Sequence, residues 1–174
     1  IGSNFLDRPI YFAVTCREDK MLGLSDYMQL EGLALQIVPF KNQSDRRFSV
    51  IGNGKVATDK LFTNVTKKFK WGNFDKLKLP VSKSYMPSIQ TTRYSILRGV
   101  QELIRKGEKD KAIALLDTYF KAFPNMNFPY DSDIIPFLQA YAEAGAYDKA
   151  KLQMKILAKE TADDLKFYSS IASN

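Results

Sequence analysis

LIRKGEKDKAIALLDTYFKAFP, residues 103–124, and YAEAGAYDKAKLQMKILAKE, residues 141–160, decide the fold. Laid over one another at an offset of 38 residues, they align Leu103 with Tyr141, Gly107 with Gly145, Ala112 with Ala150, Leu116 with Met154, Tyr119 with Leu157 and Phe120 with Ala158. Each position has a physical task. A glycine supplies the left-handed conformation that ends a first helix. The alanine lets a second helix approach closely, and Pro124 stops that helix from continuing. Two helical hairpins are expected, one per repeat.

Self-similarity at this period is a tetratricopeptide-like pattern, lengthened by about four residues over the usual 34. The additional residues are assigned to the loop from Pro124 to Asp133. Two such repeats are fewer than the roughly three that a stack needs, so the remainder of the chain is expected to pack on the first hairpin. Thr161 to Ile171, opening with a cap and Asp163 and Asp164, is read as one more helix that covers the open end of the stack.

Working toward the N-terminus, residues 74–88 contain Pro80, Pro87 and several Lys and Ser without a period, and read as a long surface loop. Before it, Thr58 is placed as the N-cap of an amphipathic helix near residues 59–70, with Asp59 in its first turn. Leu61, Phe62, Val65 and Phe69 fall on one face and Lys60, Thr63 and Lys67 on the other, and the helix is expected to end near Trp71, Gly72 and Asn73. Gly52, Asn53 and Gly54 mark a tight turn. Ile10 to Thr15 is apolar at both alternations and reads as an interior strand. Ser25 or Asp26 is expected to cap a short helical turn through Tyr27 and Leu30. Leu33 to Phe40 reads as a second strand and Phe48 and Val50 as part of a weaker third. The fold class is therefore α+β, predominantly helical: an α/β section over residues 1–83 and helical hairpins with a capping helix over 84–174, together one unit.

Composition restricts the chemistry. The chain has 174 residues, no histidine and a single cysteine. The commonest general base and the commonest transition-metal ligand are thus missing, which removes triads and zinc sites. Cys16, in an apolar run, suits a buried small hydrophobe. No apolar run approaches the roughly 20 residues that cross a bilayer. The net charge of +7 is concentrated, because residues 41–83 hold eleven Lys/Arg against three Asp. Such a segment can meet an anionic partner. Nucleic acid is not expected, since no helix carries a groove reader's density of arginine.

Two surfaces are candidates for binding. Lys60, Lys67 and Lys70, with Lys68 and Trp71, combine cation and aromatic as segments that contact lipid headgroups do. Tyr119, Phe123, Phe128, Tyr130 and Tyr141 could line a groove between the hairpins, although such aromatics more often pack in a core. Gly52-Asn53-Gly54-Lys55 lacks the spacing and the Ser/Thr of a phosphate loop. Asp131 and Asp133, just before a helix, read as caps. No catalytic, cofactor-binding or metal-ligating residue is assigned.

Three stretches carry a resemblance: Arg8-Pro9-Ile10-Tyr11-Phe12-Ala13; Tyr27-Met28-Gln29-Leu30-Glu31-Gly32-Leu33-Ala34 followed by Val38-Pro39; and Thr58-Asp59 with Asn64 and Lys68-Phe69-Lys70-Trp71-Gly72-Asn73. Together they resemble the C-terminal region of a family of bacterial multi-pass membrane proteins similar to protein O-mannosyltransferases, glycosyltransferase family 117. The resemblance implies a preceding bundle of membrane helices that uses a polyprenyl-phosphate sugar donor, with this region on the extracytoplasmic (periplasmic) side of the inner membrane. It implies that the catalytic acids lie in the membrane part and not in this chain. The expected role is a non-catalytic domain that binds a protein or glycan acceptor or docks on the membrane part of its own polypeptide. A purely structural cap of the membrane bundle is the alternative.

Overall fold

The computed structural model describes residues 7–45 and 51–172. The protein is α+β and predominantly helical. Strands β1 (Tyr11–Ala13), β2 (Met28–Leu30), β3 (Ala34–Ile37) and β4 (Lys55–Val56) precede five helices: α1 (Thr58–Thr63), α2 (Met86–Arg105), α3 (Lys109–Ala122), α4 (Ile135–Glu143) and α5 (Tyr147–Ala172).

The strands form one sheet in the order β1-β3-β2-β4, in which β3 is antiparallel to β1 and β2, and β4 runs parallel to β2. Register sorts the side chains into two rows, because neighbours across a ladder share a face. Phe12, Leu35, Leu30 and Val56 are one row and meet the core. Tyr11, Gln36, Gln29 and Lys55 are the other. β1 is accordingly an edge strand with one outward row, and Ile10 is 44% exposed, not an interior strand. Both of its alternations are apolar, which local pattern cannot separate from a doubly covered strand. The expected helical turn through Leu30 is instead a single 3-10 turn, Ser25–Tyr27, that feeds β2. Phe48 and Val50 lie outside the described residues. Cys16 is half-buried rather than buried.

Helix α1 starts one residue earlier than expected, with Thr58 as its first residue and no side-chain cap at Ala57. It continues through one wider turn, Asn64–Lys68, and stops before Gly72 and Asn73, which both take positive φ. The indole N–H of Trp71 donates to the carbonyl of Val65 at 3.1 Å. The loop that follows is shorter than the expected residues 74–88, because a 3-10 turn (Lys83–Tyr85) leads into α2 at Met86, and its first half is held from a distance. The buried Asn127 amide donates to the carbonyls of Phe74 and Leu77 and accepts from the Leu79 N–H.

Two helical hairpins, α2–α3 and α4–α5, repeat each other bond for bond. Gly107 N–H donates to Ile104 and Glu108 N–H to Leu103; 38 residues on, Gly145 donates to Ala142 and Ala146 to Tyr141. Both glycines have positive φ, and each pair of bonds satisfies carbonyls that a helix end leaves open. A Cβ at Gly145 would meet nothing within 4 Å, so Gly145→Val is expected to cost about 1–3 kcal/mol through backbone strain alone. Chemical denaturation of this variant and of Gly107→Val should give matching losses, because the two sites share one geometry.

The α/β section and the hairpins share one core. Leu61 of α1 packs against Gly99 of α2, where a Cβ would collide with it. Ser95 donates to the carbonyl of Gly32, Lys106 to the hydroxyl of Thr58, and Lys111 pairs with Asp59 at 2.8 Å. The Lys111 ammonium also holds the Asp59 carboxyl below its ordinary pKa.

The C-terminal stretch departs from expectation. Thr161 to Ile171 is not a separate helix folded over the stack but the second half of α5, and every residue from 161 to 171 is exposed. Twenty-six residues make α5 about 39 Å long, well beyond the core it covers. Leu165, Phe167, Tyr168 and Ile171 stay in solvent. No turn residue interrupts the helix before them, so it has no means of folding back.

One core position breaks the apolar pattern. Arg93 sits on the buried face of α2 between Ile89 and Ile96, 2% exposed, and none of its guanidinium nitrogens has a hydrogen-bond partner among the described residues. An unpaired buried charge costs more than an apolar group of similar length. Arg93→Met is therefore expected to stabilise the fold by about 1–3 kcal/mol, read as a higher urea midpoint at constant slope. A lower midpoint would overturn this expectation.

Candidate functional site

At the Tyr11 end of the outer row, where Lys60 of α1 reaches Gln36, a cleft of about 650 Å³ lies between the sheet and α1. Its lining includes Tyr11, Glu31, Lys60, Asn64, Lys68 and Phe69. Glu31 sits in the tight turn joining β2 to β3, where its N–H donates to Ala34 at 2.9 Å. Its side chain is only 7% exposed, which for a carboxylate requires partners. Lys60 provides the first at 2.6 Å and also donates to the Gln36 carboxamide at 3.2 Å. The Tyr11 hydroxyl donates to the second carboxylate oxygen at 3.4 Å, and Asn64 donates to the Glu31 carbonyl at 2.6 Å.

The floor depends on a glycine. Gly32 has φ +118°, and a Cβ there would lie 3.0 Å from the Phe69 ring. Without one, the ring seats against the turn beside Glu31. Burial, and then the negative charge of Glu31, push the Tyr11 phenol above its usual pKa, so it remains a donor at neutral pH. Glu31 is paired with Lys60 and Asp59 with Lys111, while Lys68, exposed at the cleft, has no ion-pair partner among the described residues. What remains toward the cleft is the Lys68 ammonium, a half-open aromatic ring and a set of fixed donors and acceptors. Chemically, such an arrangement can hold and orient a ligand through hydrogen bonds and ring contact. Among the described residues no group of His, Cys, Asp and Glu is arranged to hold a metal ion.

The predicted site residues are placed unevenly. Lys60 does not project as a free headgroup cation; its ammonium is directed onto Glu31 and Gln36. Lys67 and Lys70 are exposed and have no ion-pair partner among the described residues. Tyr119, Phe123, Phe128, Tyr130 and Tyr141 do not line a groove, because all five are buried. Tyr119 stacks on Phe137 at 4.0 Å, Phe120 on Tyr141 at 5.5 Å, and Phe123 meets Phe128 edge-on at 5.2 Å. The two hairpins are held together through these rings, with Tyr141 donating to Asp117 at 2.8 Å. Asp131 accepts from the N–H of Asp133 at 2.9 Å, the expected capping role.

Glu31 is marked by no motif. The available signal is an acid and an amide, Glu31 and Gln36, inside the otherwise apolar run from Leu30 to Val38. A second, polar cleft of about 950 Å³ lies where Gln43, Ser44 and Lys55 face Gln101, Glu102 and Arg105. There Arg105 pairs with Glu102 at 2.6 Å and holds its carboxyl below the ordinary value.

Residues 1–60 match the model of the family described as TMEM260-associated domain 2, a domain tied to a membrane protein family. No curated protein and no solved structure matches the chain. The matched segment contains the sheet and the cleft residues Tyr11, Glu31 and Lys60. Among the described residues no helix is long and apolar enough to cross a membrane.

Proposed function

We propose that the chain is a non-catalytic binding domain of a membrane-embedded, glycosyltransferase-like protein, in which the Glu31 cleft receives part of the protein or glycan acceptor. The observation that carries this reading is the coincidence of the family match with the cleft. The segment tied to a membrane protein family supplies the sheet and the Glu31 carboxylate with two of its partners. The three stretches similar to glycosyltransferase family 117 supply the sugar-transfer context, with chemistry in the membrane part and this domain on the extracytoplasmic side. Tetratricopeptide-like hairpins would act as the rigid support for the cleft, since α2 and α3 hold α1 in place through Lys106 and Lys111 and the turn at Gly32 through Ser95. Lys67 and Lys70, with Lys68, are the cations that would meet anionic headgroups.

A second reading rests on α5. Its exposed Leu165, Phe167, Tyr168 and Ile171 suit a structural cap docked against the membrane bundle. Photocrosslinking from position 11 and from position 167 of the full-length protein in its own membrane separates the two. Adducts at position 11 with the protein or glycan that receives the sugar are expected. Adducts at position 167 with its own membrane helices, and none at 11, would leave only the structural cap. Silence at both positions would end the proposal.

A further inference from the structure

We infer that the outer edge of β1 is a docking strand, taking an extended acidic peptide segment that adds to the sheet beside Tyr11 and Ala13 and directs its carboxylates to Lys68. This rests on the binding role proposed above and states the form in which a partner is held. Ile37 N–H donates to the Ile10 carbonyl at 2.9 Å and Val14 N–H to that of Leu33 at 3.3 Å, so residues 10, 12 and 14 turn their backbone groups toward β3. Those of Tyr11 and Ala13 accordingly point out of the sheet. The Ala13 carbonyl is taken by the N–H of Cys16 at 2.9 Å, whereas the Tyr11 N–H and C=O and the Ala13 N–H have no partner among the described residues. Two donors and one acceptor along one strand edge are what an extended chain matches with its own alternating groups. The opposite edge is a poorer template, since β4 has only two residues and α1 begins at Thr58.

The side chains beside these backbone groups are uncovered on both faces of the sheet. Ile10 belongs to the core-facing row with Phe12 and Val14 yet is 44% exposed, and Tyr11 on the other face is 46% exposed. A strand laid along β1 would cover both. Charge then selects the strand. Tyr11 and Lys68 line the same cleft, in which Glu31 is paired with Lys60 at 2.6 Å and Asp59 with Lys111 at 2.8 Å. Lys68 is exposed and has no ion-pair partner among the described residues, so the unmatched charge beside the edge is positive. An added strand turns alternate side chains to the outer face, and acidic residues at every second position are thereby carried toward Lys68. A second copy of the chain is disfavoured as the occupant, since it would bring a net charge of +7 to the same edge.

The test is an amide NMR titration of the full 174-residue chain with a terminally blocked hexapeptide in which Glu and Val alternate, beside its analogue with Lys in place of Glu and vesicles of anionic lipid. So few backbone bonds predict a Kd of about 0.1–1 mM. The acidic peptide is expected to slow solvent exchange of the Tyr11 and Ala13 amides, to leave those of Phe12 and Val14 unchanged, and to bind about tenfold more weakly to Lys68→Glu. Methylating the peptide nitrogens at every second residue gives two analogues, of which one should lose binding and the other keep it, because only one set of N–H groups faces β1. An equal effect of both would overturn the inference. Ala13→Pro removes an outward donor and no ladder bond, and should weaken the peptide while the rest of the spectrum stays in place. Should that variant fold poorly, the methylated pair decides alone. Equal binding of the Lys analogue would overturn the acidic preference and with it the inference. Exchange already slow at Tyr11 and Ala13 in the free chain would overturn it too, and protection lost on dilution would identify a second copy on the edge. Shifts at Lys68 with vesicles but not with the peptide would overturn it in favour of a lipid surface. Absence of binding by either peptide would overturn it while leaving the broader binding role, and the position 11 crosslinks, intact.

Discussion

Gly54→Ala should be the most damaging single-methyl change in this protein, costing about 4 kcal/mol or more. Gly54 ends the turn that leads into β4 and has φ +65°. A Cβ placed there would fall on the carbonyl oxygen of Met28, a backbone atom of β2. A side chain in the way could rotate, but a strand carbonyl cannot move without its ladder. β4 is only two residues long and its register places Lys55 on Gln29 and Val56 on Leu30, so its pairing is lost early. The thermal midpoint is expected to fall by roughly 8 °C or more, at about 2–4 °C per kcal/mol for this size. The Gly145→Val variant provides the contrast, since strain there comes without collision. If both glycine variants lost the same stability, Gly54 would not be in contact with β2.

The second large effect is expected at Arg98. This residue is buried on α2, and its guanidinium donates to the backbone carbonyls of Ile51 and Gly54 and, at 3.4 Å, to that of Asn53. Desolvation pushes its pKa down to about 10, with the negative charges of Asp45 and Glu102 opposing the shift, so it remains a cation at neutral pH. The planar fork of an arginine can satisfy several carbonyls at once, which a lysine ammonium cannot match at this geometry. Arg98→Met leaves at least two buried carbonyls open at about 1–3 kcal/mol each, an expected loss of about 3 kcal/mol. Arg98→Lys should recover only part of it. Urea unfolding of the three proteins measures this directly, and full recovery by lysine would show that charge rather than fork geometry holds the turn. The two predictions concern one joint, because Arg98 clamps the same carbonyl-bearing Gly54 whose φ admits β4.

The hairpins were legible in the sequence because their signals are local. A left-handed glycine and a close-approach alanine depend on the backbone a few residues either side, so the 38-residue offset between Gly107 and Gly145 survives into matched hydrogen bonds. The cap at Asp131 was readable for the same reason, while the helix ends at Lys68, a few residues before the positive-φ turn at Gly72 and Asn73 that was expected to end it. The fate of the aromatics was not. Tyr119 and Tyr141 are amphipathic rings that serve equally in a groove or a core. Which one they serve depends on whether Phe137 and Phe120 come to lie on them. The length of α5 escaped reading because nothing in Thr161 to Ile171 distinguishes a helix that turns back from one that continues.

The amino-acid sequence by itself determined the class of fold, the two helical hairpins with their turns, the amphipathic helix after Thr58, and the concentration of positive charge between Lys41 and Lys83. Each is set by residue type and spacing along the chain. Only the tertiary structure decided that β1 lies at an edge, that the aromatic cluster is core, and that Lys60 turns inward. The same is true of the cleft, because the burial of Glu31 exists only once Tyr11, Lys60 and Asn64, separated by up to 33 residues from it, are brought to one carboxylate and its carbonyl. Pairing across that distance costs chain entropy that no local pattern records, and it is recovered through the sheet register and the seat of α1 on Gly99.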